Sequence, residues 1–218
     1  MKSKRIRNII IASAMAVLFL VGGVFAYLTD KDDATNIFTM GDVTIDLDEP
    51  EYPGNDSDEV TDIWAGKVIT KDPTIENQGD NEAYVYLQIS VPKAEVITTD
   101  DNGNLLNNGE PKMQQLFNYV VNDGWTLLKS NTVGTNVNHY LYAYTSKLAP
   151  GEKTPALFDE VVFVNVIEDQ ISTDTVFELP IKAYAIQANY GDGTAADAHT
   201  YAEAWEFYAN QNNITLFD

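Results

Sequence analysis

Few side chains in this sequence could hold a catalytic metal ion, because it has two histidines, His139 and His199, and no cysteine. A zinc peptidase usually carries two histidines one helical turn apart with a glutamate between them. Neither histidine has a second histidine four residues away, so the sequence lacks that motif. His199, Glu203 and Glu206 are spaced by four and three residues, which places them on one face of a helix and makes them candidates for weak metal binding.

Oxygen ligands suited to calcium occur in two places, within residues 30–33 and in the turn formed by Asp100, Asn102 and Asn104 around Gly103. The turn lacks the order of an EF-hand, because its glycine comes early and no glutamate closes the loop. Asp-Asn-Gly also forms a plain hairpin turn without a metal, and this interpretation is favoured. Calcium is therefore the one cofactor that the sequence suggests.

Other catalytic constellations are missing from the sequence. It has no Gly-x-Ser-x-Gly nucleophile motif, no glycine-rich phosphate loop and no cysteine nucleophile. Pairs of carboxylates, as glycosidases use them, do not indicate an active site here, because 33 acidic residues make such pairs inevitable by chance. The sequence therefore predicts a protein without catalytic residues.

The charge of the chain is −20, from 13 basic and 33 acidic residues. Such a surface repels phosphate backbones, so we expect no nucleic-acid partner. Four of the basic residues precede an uncharged apolar run over 9–26, which is typical of an export signal. Cleavage between Ala26 and Tyr27 would leave 9 lysines and 33 acids, a charge of 9 − 33 = −24. The alternative is an uncleaved leader, which would be the only contact with a membrane.

The remaining chain follows a period of two rather than a helical period. In Tyr84–Val91, aliphatic residues alternate with tyrosines and polar residues, and Pro92 is expected to end this strand. Turn sequences rich in Asn, Asp and Gly separate the segments, which favours an antiparallel sandwich. The other predicted strands are Val43–Leu47, Val68–Glu76, Lys93–Thr98, Tyr119–Val121 with Trp125–Leu128, His139–Thr145, Val161–Val166 and Val176–Ala188.

Two segments are predicted to be helical. Lys112–Asn118 is expected to form a short helix, and Thr194–Asn210 a longer amphipathic one at the C-terminal end. Thr194 with Asp197 would cap the longer helix. Its apolar stripe includes Trp205 and is expected to pack on the sandwich. The acidic loop near 51–62 is expected to be mobile.

The sequence resembles the TasA and camelysin family of secreted Gram-positive proteins. The resemblance rests on the leader with its Gly22-Gly23 pair, followed by YLTDKDDATNIFTMGDVTIDL, and on three later blocks. These blocks are VITKDPTIENQGDNEAYVYLQISVP, LAPGEKTPALFDEVVFV and IKAYAIQANY. The resemblance implies a jelly-roll-like β-sandwich over residues 27–218, secreted to the cell surface or matrix, and a SipW-type signal peptidase that removes residues 1–26.

The resemblance also implies a function, because members of this family build biofilm fibres. The freed N-terminal segment of one subunit adds a strand to the next, so self-association is expected. The alternatives are a camelysin-type metalloendopeptidase and a monomeric surface adhesin. It also remains open whether the donor segment folds back onto its own domain. The expected pocket-filling residues of the donor are Tyr27, Leu28, Ile37, Phe38 and Met40.

Overall fold

The computed structural model describes residues 43–53, 63–133, 136–172, 175–189, 199–212 and 214. The chain divides into two compact units, residues 1–40 and 41–218, and all described residues belong to the second. The predicted signal peptide, its cleavage site at Ala26 and Tyr27, and the donor residues Leu28, Ile37, Phe38 and Met40 lie outside the described residues. Most of the predicted mobile loop, 54–62, does so as well.

The predicted all-β fold with a C-terminal helix is confirmed. Antiparallel strands form three sheets, in the orders β10-β4-β8-β7, β2-β9-β6 and β1-β3, and β5 pairs with the far end of β4. The strands are β1 Ile45–Asp48, β2 Val68–Thr70, β3 Thr74–Asn77, β4 Ala83–Val96, β5 Lys112–Gln115, β6 Phe117–Asn118, β7 Trp125–Asn131, β8 Val137–Tyr144, β9 Glu160–Phe163 and β10 Ile181–Gln187.

Strand β4 is the central element of the largest sheet, and both of its faces are buried. Val85, Leu87 and Ile89 point into the main hydrophobic core. Tyr84 and Tyr86 point to the opposite face, where they belong to a second apolar cluster. The predicted alternation is therefore correct, but the tyrosine face is buried as deeply as the aliphatic face.

Helix α1, Tyr201–Asn212, covers this second face. Trp205 is fully buried there and meets the ring of Tyr86 edge-on, with centroids 4.9 Å apart. The hydroxyl of Tyr86 donates to the Tyr201 carbonyl, and that of Tyr84 donates to the His199 carbonyl. These contacts confirm that the stripe around Trp205 packs on the sandwich. No helix among the described ranges is long and apolar enough to cross a membrane.

Several element boundaries differ from the sequence-based predictions. Strand β4 continues through Pro92, which lies between the part paired with β10 and the part paired with β5. The helix predicted over Lys112–Asn118 is wrong: β5 and β6 occupy this segment, because β4 and β9 offer it strand partners. The predicted strand Tyr119–Val121 is absent, and the predicted strand Val68–Glu76 is interrupted at residues 71–73. The strand predicted to begin at Val176 begins at Ile181 as β10.

The helix also begins later than predicted, because residues 199 and 200 are not helical. Thr200 caps it: its hydroxyl accepts a hydrogen bond from the Glu203 N–H, and the Glu203 carboxylate accepts one from the Thr200 N–H. The earlier cap predicted at Thr194 and Asp197 lies outside the described residues.

Loss of this cap should weaken the helix measurably. We expect Thr200→Ala to lower the free energy of unfolding by about 1 kcal/mol, because the Glu203 N–H loses its acceptor and the Glu203 carboxylate loses the hydroxyl that donates to it. Urea unfolding followed by circular dichroism would measure this. Thr200→Ser, which keeps the hydroxyl, serves as the control and should stay close to the parent. Equal midpoints for Thr200→Ala and the parent would contradict the capping role.

Candidate functional site

A groove of about 1240 Å³ lies beside the β2-β9-β6 sheet, and both polar and apolar side chains line it. One wall is the inner face of that sheet, where Ile69, Val161 and Phe163 alternate with outward-facing residues. The opposite wall is the segment before β10, with Phe177 and Leu179. The groove thus lies between a sheet and a segment that lacks regular structure.

Three exposed apolar side chains lie at or beside the groove. Trp64 is 60% exposed and Val176 is 71% exposed, and both line it. Val68, on the adjoining strand β2, is 52% exposed. A partner that enters the groove could cover these side chains.

A buried ion pair lies at the end of the groove. The Lys71 ammonium donates to Glu49 at 2.8 Å and lies 4.4 Å from the centre of the Tyr52 ring. Lys71 and Leu179 also line a second, smaller cleft of about 360 Å³ between β1 and the start of β10. The two clefts therefore share Lys71 and Leu179 in their linings.

Strand β2 presents an open edge at this groove. Its residues pair with β9 alone within the described part of the chain. The Lys67 carbonyl accepts a hydrogen bond from the Phe163 N–H, and the Lys71 N–H donates to the Asp159 carbonyl. Alternate residues of an antiparallel strand face the partner strand, so the backbone groups of Val68 and Thr70 point away from β9. An unpaired edge of this kind can accept another strand.

Strand β7, at the edge of the largest sheet, differs from β2. The register of its pairing with β8 shifts between Leu127 and Lys129. The ammonium group of Lys129 forms an ion pair with Glu206 of α1 at 2.7 Å. A bulge and an edge lysine are two common devices against strand addition. β2 has a regular register with β9 and carries Val and Thr at its outward positions.

The residues of the helix face that was predicted to bind a metal make other contacts. His199 precedes α1. The Glu203 carboxylate accepts a hydrogen bond from the Thr200 hydroxyl in the helix cap, and Glu206 forms an ion pair with Lys129. Hydrogen bonds from Thr200 hold the pKa of Glu203 below its ordinary value, and nearby His199 lowers it further. In the part of the chain that the structure describes, no three His, Asp or Glu side chains are close enough to share an ion.

The turn at Asp100 brings its predicted calcium ligands together but uses their oxygens internally. The Asp100 carboxylate accepts hydrogen bonds from the N–H groups of Asn102 and Asn104 and from the Asn104 side-chain amide. These bonds hold the pKa of Asp100 below its ordinary value. Gly103 has φ +80° and closes the turn by donating to the Asp100 carbonyl. The geometry is that of the plain turn.

Comparison with known proteins gives one match. A family model described as camelysin metallo-endopeptidase matches residues 2–213. The chain belongs to the TasA/camelysin family. No curated protein and no solved structure matches it.

The family name implies a catalytic metal, and the described residues of this camelysin-family chain do not fit one. Of the two histidines, His139 shares a hydrogen bond with Ser90 on the largest sheet, and His199 lies at the start of α1. Neither lies within a group of three ligand side chains among the described ranges. We therefore derive no hydrolytic step for this chain.

The groove residues are those that sequence reasoning missed. Tyr52, Trp64, Phe177 and Leu179 come from segments far apart in the chain and outside regular strands. The available signal was weak, because Tyr52 lies in a predicted polar loop and Trp64 in a segment with no predicted element. Phe177 lies in the part of the predicted strand Val176–Ala188 that precedes β10.

Proposed function

We propose that this protein is a secreted structural subunit of a cell-surface or biofilm-matrix fibre, in which the N-terminal segment of one subunit adds a strand to the next. The observation that carries the proposal is the open edge of β2 beside a large groove whose lining includes aromatic and aliphatic side chains. An incoming strand would bond to the backbone of Val68 and Thr70 and place alternate side chains in the groove.

The donor in this proposal is the segment 27–40, with Tyr27, Leu28, Ile37, Phe38 and Met40 as pocket-filling residues. These are large apolar side chains, which match the aromatic and aliphatic lining of the groove around Phe163 and Phe177. Burying one such side chain contributes roughly 1.5–3 kcal/mol. Several of them would stabilise a subunit contact strongly.

Strand addition also suits the charge of the molecule. Subunits of charge −20, or −24 after cleavage as calculated above, repel one another. Main-chain hydrogen bonds and apolar burial do not require opposite charges on the two partners. A fibre of identical acidic subunits can therefore form by this route, and salt should speed its growth by screening the repulsion.

Blocking the new N-terminus tests the donor. We expect the chain that starts at Tyr27 to form large species in size-exclusion chromatography with light scattering, because its donor is free. The same chain with a residue block before Tyr27 should remain a monomer. A control with the block after Asp218 should still polymerise. Unaltered fibres from the N-terminally blocked chain, seen by electron microscopy, would overturn the proposal.

The same samples separate the alternatives. A donor that folds back onto its own domain would leave both N-terminal forms monomeric. Casein cleavage that a chelator abolishes would instead support the metalloendopeptidase that the family name describes. A monomer without cleavage would favour the surface adhesin. The proposal therefore requires polymer growth that depends on a free Tyr27.

A further inference from the structure

Strands β2 and β3 share one edge, because the same neighbouring segment bonds to both of them on their other side. This segment ends in β9, which pairs with β2. Between the two strands the Lys71 N–H donates to the Asp159 carbonyl, and at the end of β3 the Asn77 N–H donates to the Glu152 carbonyl. The backbone groups of odd-numbered residues from 67 to 77 therefore face this segment, and those of even-numbered residues face the shared edge.

Strand β1 covers only the part of the shared edge that belongs to β3. Its last residue, Asp48, pairs with Thr74. The chain then turns away, and the Glu51 N–H donates to the side chain of Asp72 instead of to a backbone carbonyl. The open edge of β2 is thus the direct continuation of the position that β1 occupies. A strand added to β2 would lie end to end with β1.

The residues before β1 leave the shared edge at the end far from β2. The Thr44 carbonyl accepts a hydrogen bond from the Gln78 N–H, which places Val43 beside the end of β3. Ile69 is nine residues from Gln78 along this edge, or about 30 Å. Phe38 precedes Val43 by five residues, which span at most about 18 Å. A Phe38 side chain beside Ile69 would therefore have to come from a second copy.

The direction of the added strand follows from the short link to its own domain. Residues 41–44 separate Met40 from β1 and span at most about 14 Å. In a strand parallel to β2, these residues would run toward Asp48 of the acceptor, into space that its β1 occupies. In an antiparallel strand they run past Val68 to the opposite end, where the chain turns at Trp64, a residue that is 60% exposed.

We propose that Phe38 of one copy lies opposite Ile69 of the next, in a strand antiparallel to β2. This register rests on the fibre function proposed above and adds the direction and alignment of the contact. Ile69 faces the groove, so Phe38 faces it too, and so does Met40, two positions further on. Within residues 27–40, no other two alternate positions are both apolar.

The outward face of the added strand also matches its neighbour. In this register Thr39 lies opposite Val68, and Ile37 lies opposite Thr70. All four side chains are β-branched, a type that packs well on the surface of a sheet. Val68, now 52% exposed, would gain a cross-strand neighbour. Ile37 therefore belongs to the outward face of the donor rather than to the side chains in the groove.

Engineered cysteines test this register, because the sequence has no cysteine of its own. The Cα atoms of Thr39 and Val68 would lie about 5.5 Å apart, which a disulfide can bridge. We expect fibres of the chain that starts at Tyr27, with Thr39→Cys and Val68→Cys, to give a ladder of linked subunits on a non-reducing gel after treatment with oxidised glutathione. The control combines Thr39→Cys with Thr70→Cys. Its Cα atoms would be more than about 7 Å apart, so its ladder should be at least about tenfold weaker.

Ile37→Cys with Thr70→Cys is a second pair that should link, and it serves if Val68→Cys impairs assembly. A stronger ladder from the control would show a parallel or shifted strand and overturn the register. Linked monomers without a ladder would show pairing within one chain and overturn it as well. Fibres that no pair links would refute the register and leave the fibre function standing. If the chain that starts at Tyr27 forms no fibres even without cysteines, the fibre function itself is refuted.

Discussion

Ile89→Asp is expected to unfold the protein. Ile89 is fully buried on the core face of β4, between strands β8 and β10, and no cation lies opposite it: its cross-strand neighbours are Tyr140 and Ile181. A carboxylate placed there would be buried without a charge partner, and we expect it to lower the free energy of unfolding by at least about 4 kcal/mol. That is a large fraction of the stability of a typical domain, about 5–15 kcal/mol.

Urea unfolding followed by tryptophan fluorescence would measure the effect of Ile89→Asp. Ile89→Val, which only removes a methylene, should cost about 0.5–1.5 kcal/mol and reports packing alone. Val133→Asp places the same charge at a side chain that is 80% exposed, so it should change stability by no more than about 0.5 kcal/mol. A cooperative transition of Ile89→Asp at the parent's midpoint would show that the assigned face of β4 is wrong.

Val68→Pro is expected to stop fibre growth without unfolding the subunit. Proline has no N–H, and in β2 the missing group would be one that points away from β9 toward an incoming strand. The loss of this bond, together with the bulk of the ring at the contact, should slow polymer growth at least about tenfold, or about 1.4 kcal/mol. Light scattering of the chain that starts at Tyr27 would measure the growth rate.

Val120→Pro is the matched control for Val68→Pro. Val120 is 82% exposed, belongs to no strand and has no backbone bond to another described residue through its N–H. It should polymerise at the parent's rate. If Val68→Pro grew fibres as fast as Val120→Pro, the edge of β2 would not be the acceptor, and another open edge would have to be considered.

The sequence predicted the interior of the sandwich better than its surroundings. The alternation in Tyr84–Val91 identified β4 and its core face, because a period of two is a local property. It could not show that Tyr84 and Tyr86 are buried too, since that depends on where α1 docks. Lys112–Asn118 was assigned to the wrong class because pairing with β4 and β9 overrides the preference of a short segment. The jelly-roll connectivity implied by the resemblance stays a prediction.

The candidate site was less predictable than the fold. The groove exists only because the segment before β10 packs against the β2-β9-β6 sheet. No sequence pattern in the segment or in the strands predicts that the two are in contact. The acidic turn at Asp100 was predictable, since every hydrogen bond that it needs is local.

The central position of β4 has a consequence for the time at which the protein folds. One of its two neighbours in the sheet, β10, is made almost a hundred residues after it, and α1, which covers its second face, is made later still. Such distant contacts are slow to form, because a long loop must close before they contribute stability. Whether the chain emerges from a ribosome or crosses a membrane unfolded, β4 therefore has apolar surface exposed until β10 and α1 have followed it. The growing chain should depend on chaperones during this interval, and nonsense mutations near the end should yield aggregates rather than shortened folded subunits.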